Sequence, residues 1–296
     1  MHCSKKLFLT GGTGLIGKEL WQPLTEAGFE VYALSIDEHL PQVPHITWLK
    51  GNLFDEETLS CFFTQIQPQY LLNMAWCASG DYQTSNVNFE FVRAGLNLLK
   101  HFAENGGKRA VFTGTCLEYA PKDAPIQETD ALAPASVYAY CKNALRGLAD
   151  LYCRQNGIEF AYGRIFYVYG KNEHPKRLTA AIINRLHSGE KVQIKHAQLQ
   201  KDYLYTKDIA AAFTALLNSH VTGNVNICSG HAVTLADFAT AVAHGLGKEH
   251  LLDLQTLPTD QPPYIVGNNT RLVREVGFTP RYTLQTALPE ILGLDK

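Results

Sequence analysis

The chain has 296 residues, of which 46% are hydrophobic and 18% charged, and its formal net charge is -2. Such a length can form one large core or a main domain with a smaller companion. The near-neutral balance gives neither a basic footprint for nucleic acid nor a polybasic membrane anchor. Seven cysteines, scattered and without C-x-x-C spacing, read as reduced thiols, not as a disulfide frame or a zinc site. No apolar run nears the ~20 residues that cross a bilayer. The chain enters a strand almost at once, with no signal peptide, so the expected location is cytoplasmic. The histidines show no ligand spacing, and no metal is expected.

In chain order, the apolar run Leu7–Thr10 reads as a buried strand of a parallel sheet. A glycine turn with Gly11, Gly14 and Gly17 follows, then helical spacing from Lys18 to Glu26. Strand, glycine turn and helix N-terminus in this order make a dinucleotide site. Glycines admit a pyrophosphate to the backbone, and the unpaired N–H groups of the helix hold its charge. Further strands are expected at Glu30–Ser35, Ile46–Lys50, Tyr70–Met74, Ala110–Thr113 and Phe160–Phe166. Helices are expected at Glu56–Gln65, about Asn88–Glu104 and about Ser136–Asn156. This alternation is that of a doubly wound α/β fold of Rossmann type.

Beyond Gly170 the chain becomes more polar, with helical stretches at Leu178–Ser188 and Leu235–Leu246. Three prolines make Leu257–Tyr264 irregular, while Asp208–Leu217 and the strand Val225–Cys228 return to the large domain. The expected division is a cofactor domain of residues 1–167 and 201–230, with a smaller substrate domain of residues 168–200 and 231–296.

The residue ending the second strand meets the adenosine ribose in such folds. Here it is Ser35, uncharged and able to donate to a 2′-phosphate, so that of NADP(H) or NAD(H) the spacing leans to NADP(H). Asp37 lies close by, as a ribose acceptor or as a turn residue. Asn52 and Leu53 fall near the adenine. Tyr138 and Lys142 are four apart and share a helix face, where an ammonium stabilises a phenolate and makes the tyrosine a usable acid or base. Thr115 ends a strand upstream, placed to hold a substrate oxygen beside that tyrosine.

Together these motifs resemble the extended short-chain dehydrogenase/reductase family, in its nucleotide-sugar epimerase, dehydratase and reductase branch. The resemblance is carried by TGGTGLIG (Thr10–Gly17), NMAW (Asn73–Trp76), GTCLEYA (Gly114–Ala120), the run from Pro125 to Lys142, GRIFYVYG (Gly163–Gly170), KDYLYTKDIA (Lys201–Ala210) and NICSG (Asn226–Gly230). It implies Thr115, Tyr138 and Lys142 as a catalytic set, with Lys142 also on the nicotinamide ribose. It further implies cofactor contacts from Gly11, Thr13, Gly14, Leu15, Ile16, Gly17, Met74, Ala75 and Trp76.

Departures from the family pattern narrow the reaction. Dehydratases carry Asp-Glu after the catalytic hydroxyl, where this chain has Cys116-Leu117. Epimerases acting at C3 and C5 carry a cysteine at the place of Leu117, one residue after Cys116. Cys116 is therefore expected to pack, and Glu118 either faces the sugar or is a helix-side or loop carboxylate. Tyr167 replaces the usual diphosphate-contacting asparagine, Lys201 replaces an arginine and loses its bidentate fork, and Arg177 is a candidate replacement anion contact.

The resemblance then implies reduction of a nucleotide-linked 4-keto sugar, in particular a 4-keto-6-deoxyhexose. A nucleotide-sugar 4-epimerase with retained NAD is the nearest alternative, and a catalytically inactive nucleotide sensor a more distant one. Two long helices keep apolar residues on more than one face: Phe89, Val92, Leu96 and Leu99 in the first, Ala144, Leu145, Leu148 and Leu151 in the second. Family members pair these helices with a twofold mate, so a homodimer is expected.

Overall fold

The computed structural model describes residues 5–78 and 80–294. Strand β1 (Lys5–Thr10) is buried from Leu7 onward and leads into a 3-10 turn at Gly17–Leu20 and helix α1 (Trp21–Glu26). The helix expected from Lys18 thus begins as a tighter 3-10 turn, and Pro23 stands in the first turn of α1, where its missing N–H costs nothing. Then come β2 (Phe29–Ser35), β3 (Ile46–Lys50), α2 (Glu56–Ile66), β4 (Tyr70–Asn73), α3 (Val87–Glu104), β5 (Arg109–Thr115), α4 (Val137–Gln155) and β6 (Glu159–Ile165). The second half holds β7 (Tyr167–Tyr169), α5 (Leu178–His187), β8 (Val192–Ile194), β9 (Gln200–Lys201), β10 (Tyr203–Tyr205), α6 (Thr206–Asn218) and β11 (Gly223–Ile227). It closes with β12 (Val233–Thr234), α7 (Leu235–Gly245), β13 (Leu252–Leu254), β14 (Tyr264–Ile265), α8 (Thr270–Arg274) and α9 (Leu284–Leu292).

Seven parallel strands form one sheet in the order β11-β6-β5-β4-β1-β2-β3, a Rossmann-type α/β fold. Alternation along each strand feeds two cores. Leu7, Leu9, Val31 and Val111 pack with α1 and α6, whereas Phe8, Leu71 and Phe112 pack with α2, α3 and α4. The strand order reverses between β1 and β4, so the connections leaving them part and open a crevice at their carboxyl ends. Helix α4, which frames that crevice, starts where the Ser136 side chain accepts from the Ala139 amide at 3.2 Å. It lies against α3 at Gly95, where a Cβ would come 2.7 Å from Leu145.

A third core gathers Tyr169, Leu186, Tyr203, Tyr205, Phe238 and Leu288 from the second half of the chain. Its small sheets pair β7 with β10, β8 with β13, and β9 with both β12 and β14. Strands of two or three residues leave no periodicity in a sequence, and the proline-rich stretch before β14 hides that strand further. Leu272 and Phe278, grouped with the small lobe by the sequence division, pack in the core beside the large sheet. No helix among the described residues is long and apolar enough to cross a membrane.

Candidate active site

The turn after β1 is shaped by contacts that admit only glycine. Gly11 has φ +73°, and a Cβ there would lie 2.7 Å from the Ala75 amide nitrogen, so the ends of β1 and β4 can meet. A Cβ on Gly17 would reach within 2.0 Å of the Gly11 carbonyl oxygen. One on Gly14 meets only that same oxygen, at 3.2 Å, because Gly14 otherwise borders open cleft. Leu15, Ile16 and Gly17 line the cleft too, and no side chain caps the following 3-10 turn, leaving its N-terminus open to an anion. The Thr10 hydroxyl donates to Asn73 Oδ1 at 2.6 Å and accepts from the Ala75 amide at 3.2 Å, fixing the two strand ends. Met74 and Trp76 line the cleft, while Ala75 backs Gly11 and Thr13 stands outside the lining. This cradle fits the pyrophosphate of a dinucleotide.

At the end of β2, Ser35 is buried and its hydroxyl is engaged. It donates to the Asp37 carboxylate at 3.2 Å and accepts from the Asp37 amide at 3.1 Å. Asn52 Oδ1 accepts from the Phe54 amide at 3.0 Å, and Leu53 packs against the core below the sheet. These residues lie beyond the cleft that holds the glycine turn.

Thr115, Tyr138 and Lys142 come together in the same cleft, of about 580 Å³. Strand β5 presents Thr113 and Thr115 on one face, and α4 presents Tyr138 and Lys142 one turn apart. The electrostatics differ from the expectation of an ammonium serving the phenol. Lys142 Nζ donates to the Thr113 carbonyl at 2.8 Å and the Thr113 hydroxyl at 3.0 Å, and lies 4.0 Å from the Trp76 ring centroid. Burial pushes the Tyr138 phenol above its ordinary value, the neighbouring Tyr82 adds to this, and a hydrogen bond with Thr115 opposes it. Burial pulls the Lys142 ammonium down to about 7, with Glu118 opposing.

On the substrate side, Cys116, Tyr167, Arg177 and Lys201 all line the cleft. Burial pushes the Cys116 thiol up to about 12, so it is neutral and inert. Lys201 Nζ donates to the Pro262 carbonyl at 3.1 Å and sits 5.4 Å from the Tyr167 ring centroid. Arg177 reaches across the cleft to the Ala78 carbonyl at 3.4 Å. Glu118 does not face the sugar. It is fully buried, accepting from the Thr115 amide at 2.9 Å, the Tyr162 hydroxyl at 2.9 Å and Arg164 Nε at 2.8 Å. Its alternative as a helix-side carboxylate describes it better, since it lies in the 3-10 turn Cys116–Glu118: in a buried position a carboxylate needs a cation and donors, and it has both.

Among the lining residues that the sequence did not single out, Thr113, Tyr82 and Glu173 stand out by their contacts. Thr113 holds Lys142; its place two residues before Thr115, on the same strand face, was the available signal. Tyr82 packs edge-on against Tyr138, centroids 4.9 Å apart, from a loop without periodicity. Glu173 accepts from the Gly170 amide at 2.8 Å within an irregular turn.

Comparison with known proteins bears on the fold and the family. The chain is 27% identical to GDP-L-fucose synthase 1 of Arabidopsis thaliana over 310 residues, covering 97% of this chain and 92% of that protein. The UDP-glucose 4-epimerase of Thermotoga maritima, solved with UDP-glucose, superposes with a TM-score of 0.86 at 21% identity, covering 97% and 96% of the two chains. That of Thermus thermophilus, solved with NAD, gives 0.84 at 24% identity, covering 97% and 99%. At such identities the solved structures show a shared fold. The model of the NAD dependent epimerase/dehydratase family matches residues 7–228, three quarters of the sequence, and the chain belongs to that family.

Proposed function

We propose that the cleft performs hydride-transfer chemistry at C4 of a nucleotide-linked sugar, and that it reduces a 4-keto-6-deoxyhexose. The observation that carries this reading is the economy of the site. Thr115 and Tyr138 share a hydrogen bond beside Lys142, while the carboxylate and the thiol that follow Thr115 in the chain are spent. Glu118 is tied to Arg164, and Cys116 is held neutral. With those two spent, Tyr138 is the proton donor in contact with Thr115, which supports a single reduction over water elimination or proton abstraction at C3 and C5.

The nicotinamide, when bound, supplies the hydride. The chain supplies the rest. Tyr138, protonated because it is buried, gives its proton to the carbonyl oxygen, and Thr115 orients that oxygen. Lys201 and Arg177 offer positive charge to a diphosphate. Relatives named for GDP-L-fucose synthesis and UDP-glucose 4-epimerisation support a sugar nucleotide as the substrate.

One observation favours the second reading, a 4-epimerase with retained NAD. Although Ser35 alone leans to NADP(H), the Asp37 carboxylate beside it repels a 2′-phosphate and accepts from a 2′-hydroxyl, which supports NAD(H). The test is to assay the purified protein for bound NAD, then to follow oxidation of NADH and NADPH with nucleotide-linked 4-keto-6-deoxy sugars. Stoichiometric NADH oxidation is the expected result. Interconversion at C4 without net oxidation would establish the epimerase instead, and neither activity would leave the sensor. The apolar residues left exposed on α3 and α4 support a homodimer as the working unit.

A further inference from the structure

Trp76 touches both Tyr138 and Lys142 although it lies on neither of their elements. The Lys142 ammonium sits 4.0 Å from its ring centroid, and the Tyr138 ring meets it edge-on at 6.2 Å. The indole is itself immobilised. It stacks on Phe91 with centroids 5.2 Å apart, and its Nε1 donates to Asn88 Oδ1 at 2.7 Å. Asn88 is fully buried, and its Nδ2 donates to the carbonyls of Tyr82 and Ser85, each at 2.7 Å. The loop so pinned accepts from the Tyr138 amide through the Gln83 carbonyl at 3.1 Å. One buried amide therefore sets the indole under the lysine and also the loop that meets the start of α4.

We propose that Trp76, locked by Asn88, is the positioning residue for Lys142, its indole face holding the ammonium as a cation at the Thr113 end of the cleft. This rests on reading Lys142 as the cation that meets the cofactor. Of the directions open to the ammonium, two are taken by the Thr113 carbonyl and hydroxyl, and neither partner carries a formal charge. In a desolvated site the negative face of an indole provides what water would otherwise give. Of the charged groups nearby, Glu118 also supports the cation, but its carboxylate is shared with Arg164 and Tyr162. The Tyr162 hydroxyl lies 3.0 Å from the lysine's own carbonyl. Tyr138, Tyr162 and Cys116 are kept protonated by burial. Burial already brings the lysine down to about 7, so a modest loss of support discharges it at neutral pH. The sign is fixed: the cation is lost as pH rises, and removing the indole lowers the pH at which this happens.

The test uses the whole protein with no sugar added. The Trp76 contribution to emission, taken as wild type minus Trp76→Phe, should show a transition near neutral pH that is absent in Lys142→Met. The same transition surviving in Lys142→Met would overturn the proposal. NADH affinity, read by nicotinamide fluorescence, should weaken on the alkaline side. That limb should move down by about one pH unit in Trp76→Leu, with partial rescue in Trp76→Phe. An unmoved limb in Trp76→Leu would equally overturn it. Should Trp76→Leu not fold, the emission titration decides alone. Failure on every sugar with a normal emission transition would remove the proposed reaction and leave this role of Trp76 intact.

Discussion

At the scale of single residues, Tyr138 and Tyr140 show how two neighbours on one helix divide. Tyr138 is half-buried in the cleft between Trp76, Tyr82 and Thr115, whereas Tyr140 is 64% exposed on another face of α4. A phenol kept protonated by burial is a donor at neutral pH, as a reduction requires. Tyr138→Phe removes that proton and keeps the ring, so turnover should fall roughly 10²–10⁴-fold with cofactor binding near normal. Tyr140→Phe should retain wild-type turnover. Steady-state rates of the two variants with a 4-keto sugar test this, and an active Tyr138→Phe would refute the assigned role. The spacing of Tyr138 and Lys142 was legible in the sequence because i and i+4 share a helix face. That Lys142 would turn to Thr113 and Trp76 was not, since those partners are brought in by β5 and by the end of β4.

At the scale of elements, β5, the 3-10 turn at Cys116–Glu118 and β6 are joined through one carboxylate. Glu118 binds the backbone of β5 through Thr115, and Tyr162 and Arg164 of β6 through their side chains. Arg164 also donates to the Tyr119 hydroxyl at 3.0 Å and is itself fully buried. Removing Glu118 leaves a buried guanidinium without its anion, so Glu118→Ala should cost ~3–5 kcal/mol, read by chemical denaturation. A cost under ~1 kcal/mol, typical of a surface ion pair, would contradict this account. Sequence alone could not choose between a sugar-facing and a buried Glu118, because its partners lie more than forty positions downstream.

At the scale of the whole molecule, the cleft is closed by the second half of the chain, and Asp202 anchors that closure. Fully buried, it accepts from the amides of Ser229, Gly230 and Gly267 and from the Ser229 hydroxyl. Its neighbour Lys201 is thereby planted in the cleft wall. Helices α3 and α4 leave part of their apolar surface uncovered. Leu99 and Leu145 are spent in the core, but Phe89, Leu148 and Leu151 are 56%, 49% and 50% exposed. Three large apolar side chains left outside on two adjoining helices support a second copy as their cover. Light scattering at micromolar concentration should give a dimer mass, and Leu148→Glu a monomer with reduced turnover. A monomeric wild type would refute the pairing.

The fold class, the glycine turn and the helix face shared by Tyr138 and Lys142 are legible in the order of the residues. Those signals are local: alternation along a strand, a period along a helix, and glycines where no Cβ fits. The short strands of the second lobe, the pairing of Glu118 with Arg164, the tie between Ser35 and Asp37, and the seat of Lys142 on Trp76 were decided only by tertiary structure. Most of these join segments distant in the chain. The serine and aspartate are close in sequence, but the direction of their side chains is set by how β2 ends. Desolvation does the rest, since burial is the largest influence that pushes up the Cys116 thiol and the Tyr138 phenol and pulls down the Lys142 ammonium.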